Sequence, residues 1–243
     1  MMNDEIYHTK VRVHKSHEAF LDILQRRKCR FYIRETRFMA EVVLDGMKHV
    51  FIKKSEYLAK DVHIFRVVKG EALKFLEKNP DFQPQEQYKS NMMNYDYDDT
   101  IGILTGTDLN SAYWTIARNM GIISDKTFGK YSDSRYKIIR LSALSVLGRR
   151  KAYKSFHGSD NKGVFILENE NPMLREIYRA IRFECFRHMT TLAEKLGKDF
   201  DSYRTDCIYY RDTPENRKLV YDYFDANRLT YKQLVFGEEE TED

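Results

Sequence analysis

The sequence has few of the residues that cross-link a chain, break its helices and strands, or make its backbone flexible. Its 243 residues include only 3 Cys, 4 Pro and 11 Gly. The low Gly and Pro content excludes collagen-like and proline-rich proteins. Cys29, Cys185 and Cys207 are far apart, odd in number and without a CxxC or Cys/His cluster. We therefore expect buried, reduced thiols rather than a disulfide framework or a zinc site.

Long apolar runs are also missing. No stretch reaches the roughly 18 apolar residues that a membrane-spanning helix needs. The start of the chain, MMNDEIYHTKVRV, lacks the apolar core of a signal peptide. These two absences predict a cytoplasmic protein with no membrane partner.

Charged and aromatic side chains, by contrast, are abundant. The composition is 42% hydrophobic and 32% charged, with 17 Tyr, 15 Phe and 1 Trp, which is typical of a globular protein and excludes a disordered one. The net charge of +4 combines 41 basic with 37 acidic residues, and five of the acids lie in the last seven positions. A basic body with an acidic tail favours an anionic partner, nucleic acid first.

Residues 1–82 predict a small α+β unit, and the polar, aperiodic stretch 83–100 predicts a linker. The expected elements of the unit are a helix at 16–28, strands at 30–33, 38–44, 50–53 and 64–68, and a helix at 70–78. Its cations are either solvated surface charge or contacts for nucleic acid. They are Arg26, Arg27, Lys28, Arg30, Arg34 and Arg37.

Residues 101–236 predict a larger domain, followed by an acidic tail at 237–243. Apolar residues recur every three or four positions over 172–196, which predicts one long amphipathic helix. Alternating apolar residues around Asp206 predict a strand or a hairpin. The other expected elements are strands at 101–109, 163–167 and 229–236, helices at 111–120, 135–147 and 214–227, and a loop at 124–134.

Two aspartates stand at the edges of hydrophobic strands. Asp108 follows the segment IGILTGT, and Asp206 lies within SYRTDCIYY. A carboxylate in such a place is costly unless it is paired or binds a metal. Two acids from distant strands that meet at one sheet edge can hold Mg²⁺ for phosphoryl or nucleotidyl transfer. The alternative is that each aspartate forms a turn or caps a helix.

The segment DLNSAY at 108–113 resembles motif A, D-x-x-S-x-Y, of family B DNA polymerases, in the form used by the protein-primed, phage-type branch. The resemblance implies that the Asp108 carboxylate and the backbone carbonyl of Leu109 bind a metal ion. The family usually has Pro at the next position, where this chain has Trp114.

A second segment, YRTDC at 203–207, resembles motif C, Y-x-D-T-D-S. The resemblance implies that Asp206 is the second acid, which bridges the two metal ions. Arg204 stands where the family has its first acid. We expect this arginine either to pair with Asp206 or to occupy a metal's place.

Motif B, K-x-x-x-N-S-x-Y-G, has its weakest counterpart in RLSALSVLG at 140–148. By the resemblance, Arg140 holds the triphosphate, and Lys137, one turn earlier, is a second candidate for this role. The start of the helix after motif A offers backbone N–H groups to the same triphosphate. The tyrosine of motif A would lie under the deoxyribose and exclude a 2′-hydroxyl. The implied nucleotide-binding residues are Ser111, Ala112, Tyr113, Lys137, Arg140 and Ser145.

The resemblance implies an α+β fold in which a palm-like antiparallel sheet packs on helices, with the small N-terminal unit added. The implied enzyme is a minimal nucleotidyltransferase, DNA polymerase-like or primase-like, with two Mg²⁺ or Mn²⁺ ions. Its partners would be dNTP, a primer-template or single-stranded DNA, and an additional replication subunit. The enzyme would act in the cytoplasm of a cell that hosts a phage or plasmid.

Several departures from the family leave alternatives open. The stretch between motifs A and B is short, no exonuclease fits into residues 1–100, and only 37 residues follow Asp206. The second hypothesis is therefore an inactive palm that binds nucleic acid as a replication accessory or as part of a split polymerase. The third is an unrelated α+β protein with chance matches.

Overall fold

The structure is a computed structural model that describes residues 10–14, 18–35, 39–52, 58–83, 87–98, 102–149, 151–167 and 171–234. The α+β class expected from the sequence is confirmed, since helices and two sheets are mixed along the described chain. In chain order the elements are β1 (Lys10–His14), α1 (Glu18–Arg26), β2 (Arg30–Glu35), β3 (Met39–Leu44), β4 (Met47–Ile52), α2 (Leu58–Lys78), β5 (Asn91–Met93), β6 (Leu104–Leu109), α3 (Ala112–Asn119), α4 (Asp125–Tyr131), α5 (Lys137–Leu147), β7 (Lys151–His157), β8 (Asp160–Leu167), α6 (Met173–Leu196), β9 (Phe200–Arg204), β10 (Cys207–Arg211), α7 (Pro214–Ala226) and β11 (Tyr231–Leu234).

The first of two compact units combines residues 1–66 with residues 146–175. Its six-stranded sheet has the order β1-β4-β3-β2-β7-β8 and is antiparallel except for the β1–β4 pair. Leu24 of α1 is buried with apolar residues of β2, β3 and β4, because the apolar stripe of the helix and alternate strand residues share one face. These strand residues are Phe31, Ile33, Ala40, Val42 and Phe51.

An ion pair lies within this sheet. Glu41 of β3 accepts hydrogen bonds from Arg34, at 2.9 Å, and from the Tyr153 hydroxyl, also at 2.9 Å. Burial alone would raise the pKa of Glu41, but the positive charges of Arg34 and Lys151 outweigh it and lower the pKa. The buried acid is therefore an ionised partner that links three strands.

The second unit combines residues 67–145 with residues 176–243. Its five-stranded sheet is antiparallel throughout and has the order β11-β6-β10-β9-β5. The helix α6 is tied to this sheet by a hydrogen bond between Thr190 and the Tyr203 hydroxyl of β9, at 3.1 Å. Buried residues of several helices and of the sheet make up the core, among them Ile116, Ile181, Met189, Ile208, Tyr210 and Phe224.

The structure divides the chain at other points than the sequence predicts. The predicted boundary follows residue 82, whereas residues 146–175 belong with the first unit. This hairpin extends the first sheet because β7 pairs with β2, with Arg30 opposite His157. Pairing between strands so far apart in the chain has no local signal in the sequence.

Two expected elements differ in type. The segment 64–68, predicted as a strand, lies within the helix α2, whose residues Ile64, Val68 and Ala72 are fully buried. Their spacing of four is helical, and a five-residue apolar window cannot distinguish it from a strand. The predicted loop at 124–134 contains the helix α4, which the Ser124 side chain caps by accepting from Thr127 N–H.

The stretch 83–100, predicted as a linker, contributes β5 to the edge of the second sheet. The acidic tail at 237–243 lies outside the described residues. Within the described part of the chain, no helix combines the length and the apolar character needed to cross a membrane.

Candidate functional site

Strand pairing in the second unit brings the two aspartates together. Asp108, the last residue but one of β6, lies directly opposite Cys207 of β10, and Asp206 is the residue before Cys207, in the β9–β10 turn. The Asp206 carbonyl accepts a hydrogen bond from the Leu109 N–H, at 2.9 Å. Thr205 holds the turn with φ 56°, in the left-handed region. The motif A and motif C segments are therefore adjacent in space, although about a hundred residues separate them in sequence.

The electrostatics of Asp206 show that the two carboxylates influence each other. Burial raises the pKa of Asp206, and the negative charge of Asp108 raises it further, while Lys232 opposes the rise. Two carboxylates in one partly buried place repel each other when both are ionised. A cation between them removes that cost.

Lys232 forms an ion pair with Asp108. It lies directly opposite Asp108 in the β6–β11 ladder, and its Nζ is 3.4 Å from Asp108 Oδ2. Opposite residues in an antiparallel pair project on the same face of the sheet. The lysine is 57% exposed and Asp108 is 26% exposed, so this is a partly solvated ion pair at the mouth of the site.

The helix α3 begins directly after motif A. Ser111 is its N-cap, with φ 51° and ψ 44°, and the Ser111 side chain makes no capping hydrogen bond. Ala112, the first helical residue, is buried. Only the two turn residues Asn110 and Ser111 separate the end of β6 from this eight-residue helix, and helix N-termini favour anions.

Tyr113 lies beside the acids. Burial raises the pKa of Tyr113 to about 12, Cys185 and Asp206 add to the rise, and Arg182 opposes it. Cys185 of α6 also contacts the turn that carries Asp206, because its thiol is 3.5 Å from the Thr205 carbonyl. Tyr113 is thus a neutral phenol that interacts with Asp206 and with Cys185 and Arg182 of α6. The sequence interpretation gave Arg182 and Cys185 no role.

Arg140 is buried, whereas a residue that binds the triphosphate would be accessible to it. It is 4% exposed and donates to the Tyr131 carbonyl at 2.6 Å, to the Asp133 carbonyl at 2.7 Å and to Ser111 Oγ at 2.9 Å. Burial lowers its pKa, and Asp133 opposes this effect. The guanidinium therefore ties the N-cap of α3 to the segment after α4.

The other two nucleotide-binding residues expected in and just before motif B are exposed on α5. Lys137 is exposed at the first turn of this helix, and Ser145 is exposed with its hydroxyl donating to the Ser142 carbonyl at 2.9 Å. Arg204 at the end of β9 is also exposed, and among the described residues it makes no ion pair with Asp206. Among the described residues we therefore observe no contact in which Arg204 pairs with Asp206 or takes a metal's place.

On the sheet face that carries Asp108, the side chains of Tyr209 and Leu234 lie against Gly106. Gly106 is two residues before Asp108, and a Cβ there would lie 3.1 Å from the Tyr209 ring and 3.2 Å from Leu234. The ring thus lies across the glycine backbone. Tyr209 is opposite Gly106 in β10, and its pKa is raised to about 12, first by its hydrogen bond with Cys207 and then by burial.

The donor set of the site fits a hard divalent cation. Asp108 and Asp206 supply carboxylate oxygens, the ligands that Mg²⁺ prefers, and Mg²⁺ is commonly held by one or two carboxylates with substrate phosphates completing its shell. Among the described residues, no group of three or more His, Cys, Asp or Glu side chains could form a self-sufficient metal cage. The repulsion that raises the pKa of Asp206 also fits a site whose charge a cation completes.

Comparison with known proteins gives no match to a family model, to a curated protein or to a solved structure.

Proposed function

We propose that the chain is a palm-type nucleotidyltransferase that acts on nucleic acid, DNA polymerase-like or primase-like. The single observation that carries the proposal is the pairing of β6 with β10, which puts Asp108 beside Asp206 at the start of α3. In an unrelated α+β protein, the meeting of these two acids at a helix N-terminus followed by a tyrosine would be a coincidence.

In this proposal, Asp108, Asp206 and the Leu109 carbonyl hold Mg²⁺ or Mn²⁺ in a two-metal arrangement. Bound ions of this kind activate the attacking oxygen and neutralise charge that develops on the phosphate. The role of the chain would be to hold the two carboxylates near each other, and the pairing of Asp108 with Cys207, the residue after Asp206, supports this role. Burial and the negative charge of Asp108 raise the pKa of Asp206, and a bound cation would favour the ionised form of both acids.

The nucleotide would lie against the start of α3. Ser111 and Ala112 offer backbone N–H groups to phosphate oxygens, as helix N-termini do. Tyr113, a neutral phenol beside Asp206, would lie under the sugar. Lys137 is solvent-exposed and free to approach the triphosphate, whereas Arg140 would support the site through Ser111 instead of binding phosphate.

A second function is favoured by the charges around the acids. Lys232 already pairs with Asp108, and Arg204 replaces the first acid of motif C. Both features suit an inactive palm that binds single-stranded DNA or a primer-template through its basic surface, as a replication accessory or with an additional replication subunit. For either function we propose a cytoplasmic location, for example in the host of a phage or plasmid.

Primer extension with dNTP and Mg²⁺ or Mn²⁺ tests the enzyme, with de novo synthesis on a single-stranded template as a second reaction. We expect incorporation that Asp108→Asn and Asp206→Asn each reduce by at least about a thousandfold, since both carboxylates act as one unit. Asp222→Asn, which changes an exposed acid on α7, is the matched control and should leave the rate unchanged. DNA binding without incorporation in either reaction would favour the accessory function, and activity that survives both substitutions would refute the enzyme.

A further inference from the structure

The basic residues of the first unit separate into paired and unpaired cations. Arg34 is buried against Glu41, and Arg26 pairs with Asp22 at 2.9 Å one helical turn away. Arg27, Lys28 and Arg30 are exposed, and none of them makes an ion pair with a described acid. Three positive charges therefore remain uncompensated within four residues of sequence.

These three cations occupy one corner, which we call the α1–β2 corner and define as Arg27, Lys28 and Arg30. The end of α1 is closed by hydrogen bonds from Lys28 N–H to the Gln25 carbonyl and from Cys29 N–H to the Leu24 carbonyl, both 3.0 Å. Lys28 adopts φ 54°, a left-handed conformation in which glycine or asparagine is the usual residue. A lysine therefore stands where the backbone alone would favour a smaller residue.

The neighbouring β7–β8 turn holds this corner rigid. Gly158 N–H donates to the Cys29 carbonyl at 2.9 Å, and a Cβ on Gly158 would lie 3.3 Å from Lys28 Cα. His157, the residue before this glycine, is the cross-strand partner of Arg30 and is exposed. The acid of the turn, Asp160, is already paired with Lys162 at 3.4 Å. The corner therefore keeps its full positive charge on a fixed framework.

We propose that the α1–β2 corner binds the sugar–phosphate backbone of nucleic acid, as a second contact on a different unit from the aspartate site. The choice of partner rests on the proposed function, because a protein that acts on nucleic acid gains much of its affinity from contacts with phosphates. Surface cations held on a rigid turn contact phosphates without reading sequence. The backbone, with regularly spaced negative charges, suits cations at Arg27, Lys28 and Arg30 better than a single anion does.

The test measures the affinity of the full chain for a fluorescein-labelled single strand by anisotropy over a range of salt concentrations, without divalent ions. The variant Arg27→Glu/Lys28→Glu/Arg30→Glu reverses the charge of the corner. The control reverses three exposed lysines of the second unit and changes the net charge by the same amount. The control variant is Lys126→Glu/Lys195→Glu/Lys198→Glu.

We expect the corner variant to lose at least about tenfold in affinity, and the slope of log K against log salt to fall by about 2, because each neutralised phosphate of a single strand contributes about 0.7. The control should lose less than about threefold. Equal losses in both variants, or an unchanged slope in the corner variant, would overturn the proposal. If the charge reversal prevents folding, Arg27→Gln and Arg30→Gln are each expected to lower the slope by about 0.7.

Two further measurements distinguish DNA binding at the α1–β2 corner from membrane binding and from the proposed enzyme activity. If the corner variant loses binding to phosphatidylglycerol vesicles but keeps its affinity for DNA, the partner is an anionic surface and the proposal is overturned. In an Asp108→Asn/Asp206→Asn background, the corner substitutions should still lower the salt slope by about 2, because the corner acts independently of the two aspartates. Wild-type DNA binding through the corner without nucleotide incorporation would remove the enzyme function alone, whereas incorporation with an unchanged salt slope would remove the corner alone.

Discussion

Lys232 faces Asp108 across the β6–β11 ladder, with its ammonium nitrogen 3.4 Å from the carboxylate. This pair gives the aspartate site a positive charge of its own. An ion that binds to Asp108 must share or displace that charge, because both cations approach the same carboxylate. The lysine is more than half exposed, so the pair is weak enough to be displaced.

The first prediction concerns this competition. Lys232→Gln should tighten Mn²⁺ binding by about twofold to fivefold, since an exposed ion pair contributes about 0.2–1 kcal/mol. Electron paramagnetic resonance of free Mn²⁺ during a titration measures the change. Lys218→Gln, which removes an exposed lysine paired with Asp222, is the control and should bind Mn²⁺ like the wild type. Weaker binding in Lys232→Gln would contradict the competition.

The second prediction concerns the stability cost of the acid pair. Folding raises the pKa of Asp206, so protonation of this acid stabilises the folded state. That stabilisation is lost as the pH rises through the folded pKa. At neutral pH without divalent ions, Asp206→Asn should therefore raise the melting temperature by about 2 °C, a modest change because the site is partly solvated. Thermal denaturation by circular dichroism measures it.

The stabilisation of Asp206→Asn should shrink as pH falls, because the wild-type acid then becomes protonated. It should also shrink when Mn²⁺ is added, because the ion stabilises only a chain with both acids. Asp222→Asn serves as the control and should not raise the melting temperature. A melting temperature for Asp206→Asn below that of the wild type at neutral pH contradicts the prediction.

The third prediction separates Arg140 from Lys137. Arg140→Met leaves the Tyr131 and Asp133 carbonyls without their donor, and it should lower the free energy of unfolding by about 2–4 kcal/mol. Lys137→Gln removes an exposed charge and should leave the free energy of unfolding within about 0.5 kcal/mol of the wild type while weakening dNTP binding. Urea denaturation and dNTP titration give the two quantities. An Arg140→Met chain of wild-type stability would show that the three contacts do not matter.

The fourth prediction concerns acid sensitivity of the second unit. His188 of α6 hydrogen-bonds the Tyr223 hydroxyl at 2.9 Å, and its Nε2 lies 3.4 Å from Glu184. Burial lowers the pKa of His188 to about 4, with Arg187 adding to the effect and Glu184 opposing it. The folded state thus favours neutral histidine, so its contribution to stability is complete above the ordinary pKa of about 6.5 and is lost as pH falls towards 4.

His188→Gln should flatten the loss of stability between pH 6.5 and about 4, by on the order of 1–3 kcal/mol across that range. Urea denaturation at several pH values measures the slope. His157→Gln, which changes an exposed histidine of the first unit, should retain the wild-type slope. Parallel profiles for His188→Gln and the wild type would contradict the prediction.

The long helix and the hairpin around Asp206 could be predicted because their signals are local. Apolar spacing over 172–196 predicts α6, and alternation around Asp206 predicts β9 and β10. The meeting of Asp108 and Asp206 followed only from the motif resemblance, since periodicity does not say which strands pair.

Other features had no signal that a single sequence carries. Lys232 faces Asp108 because of the register of β11, a four-residue strand at the sheet edge. Arg140 is buried because three acceptors from distant segments surround it, although its position in motif B suggested a phosphate ligand. The strand predicted at 64–68 became helix because burial along α2, rather than the β-propensity of its valines, decides the local structure.

The binding of Mn²⁺ by single and double variants of the acid pair tests the central claim most directly. We expect Asp108→Asn and Asp206→Asn each to weaken the affinity at least about tenfold, and the double variant to be little weaker than either, because one ion uses both carboxylates. Isothermal titration calorimetry gives the affinities independently of any activity. Wild-type affinity in either single variant would contradict a shared cation site at Asp108 and Asp206.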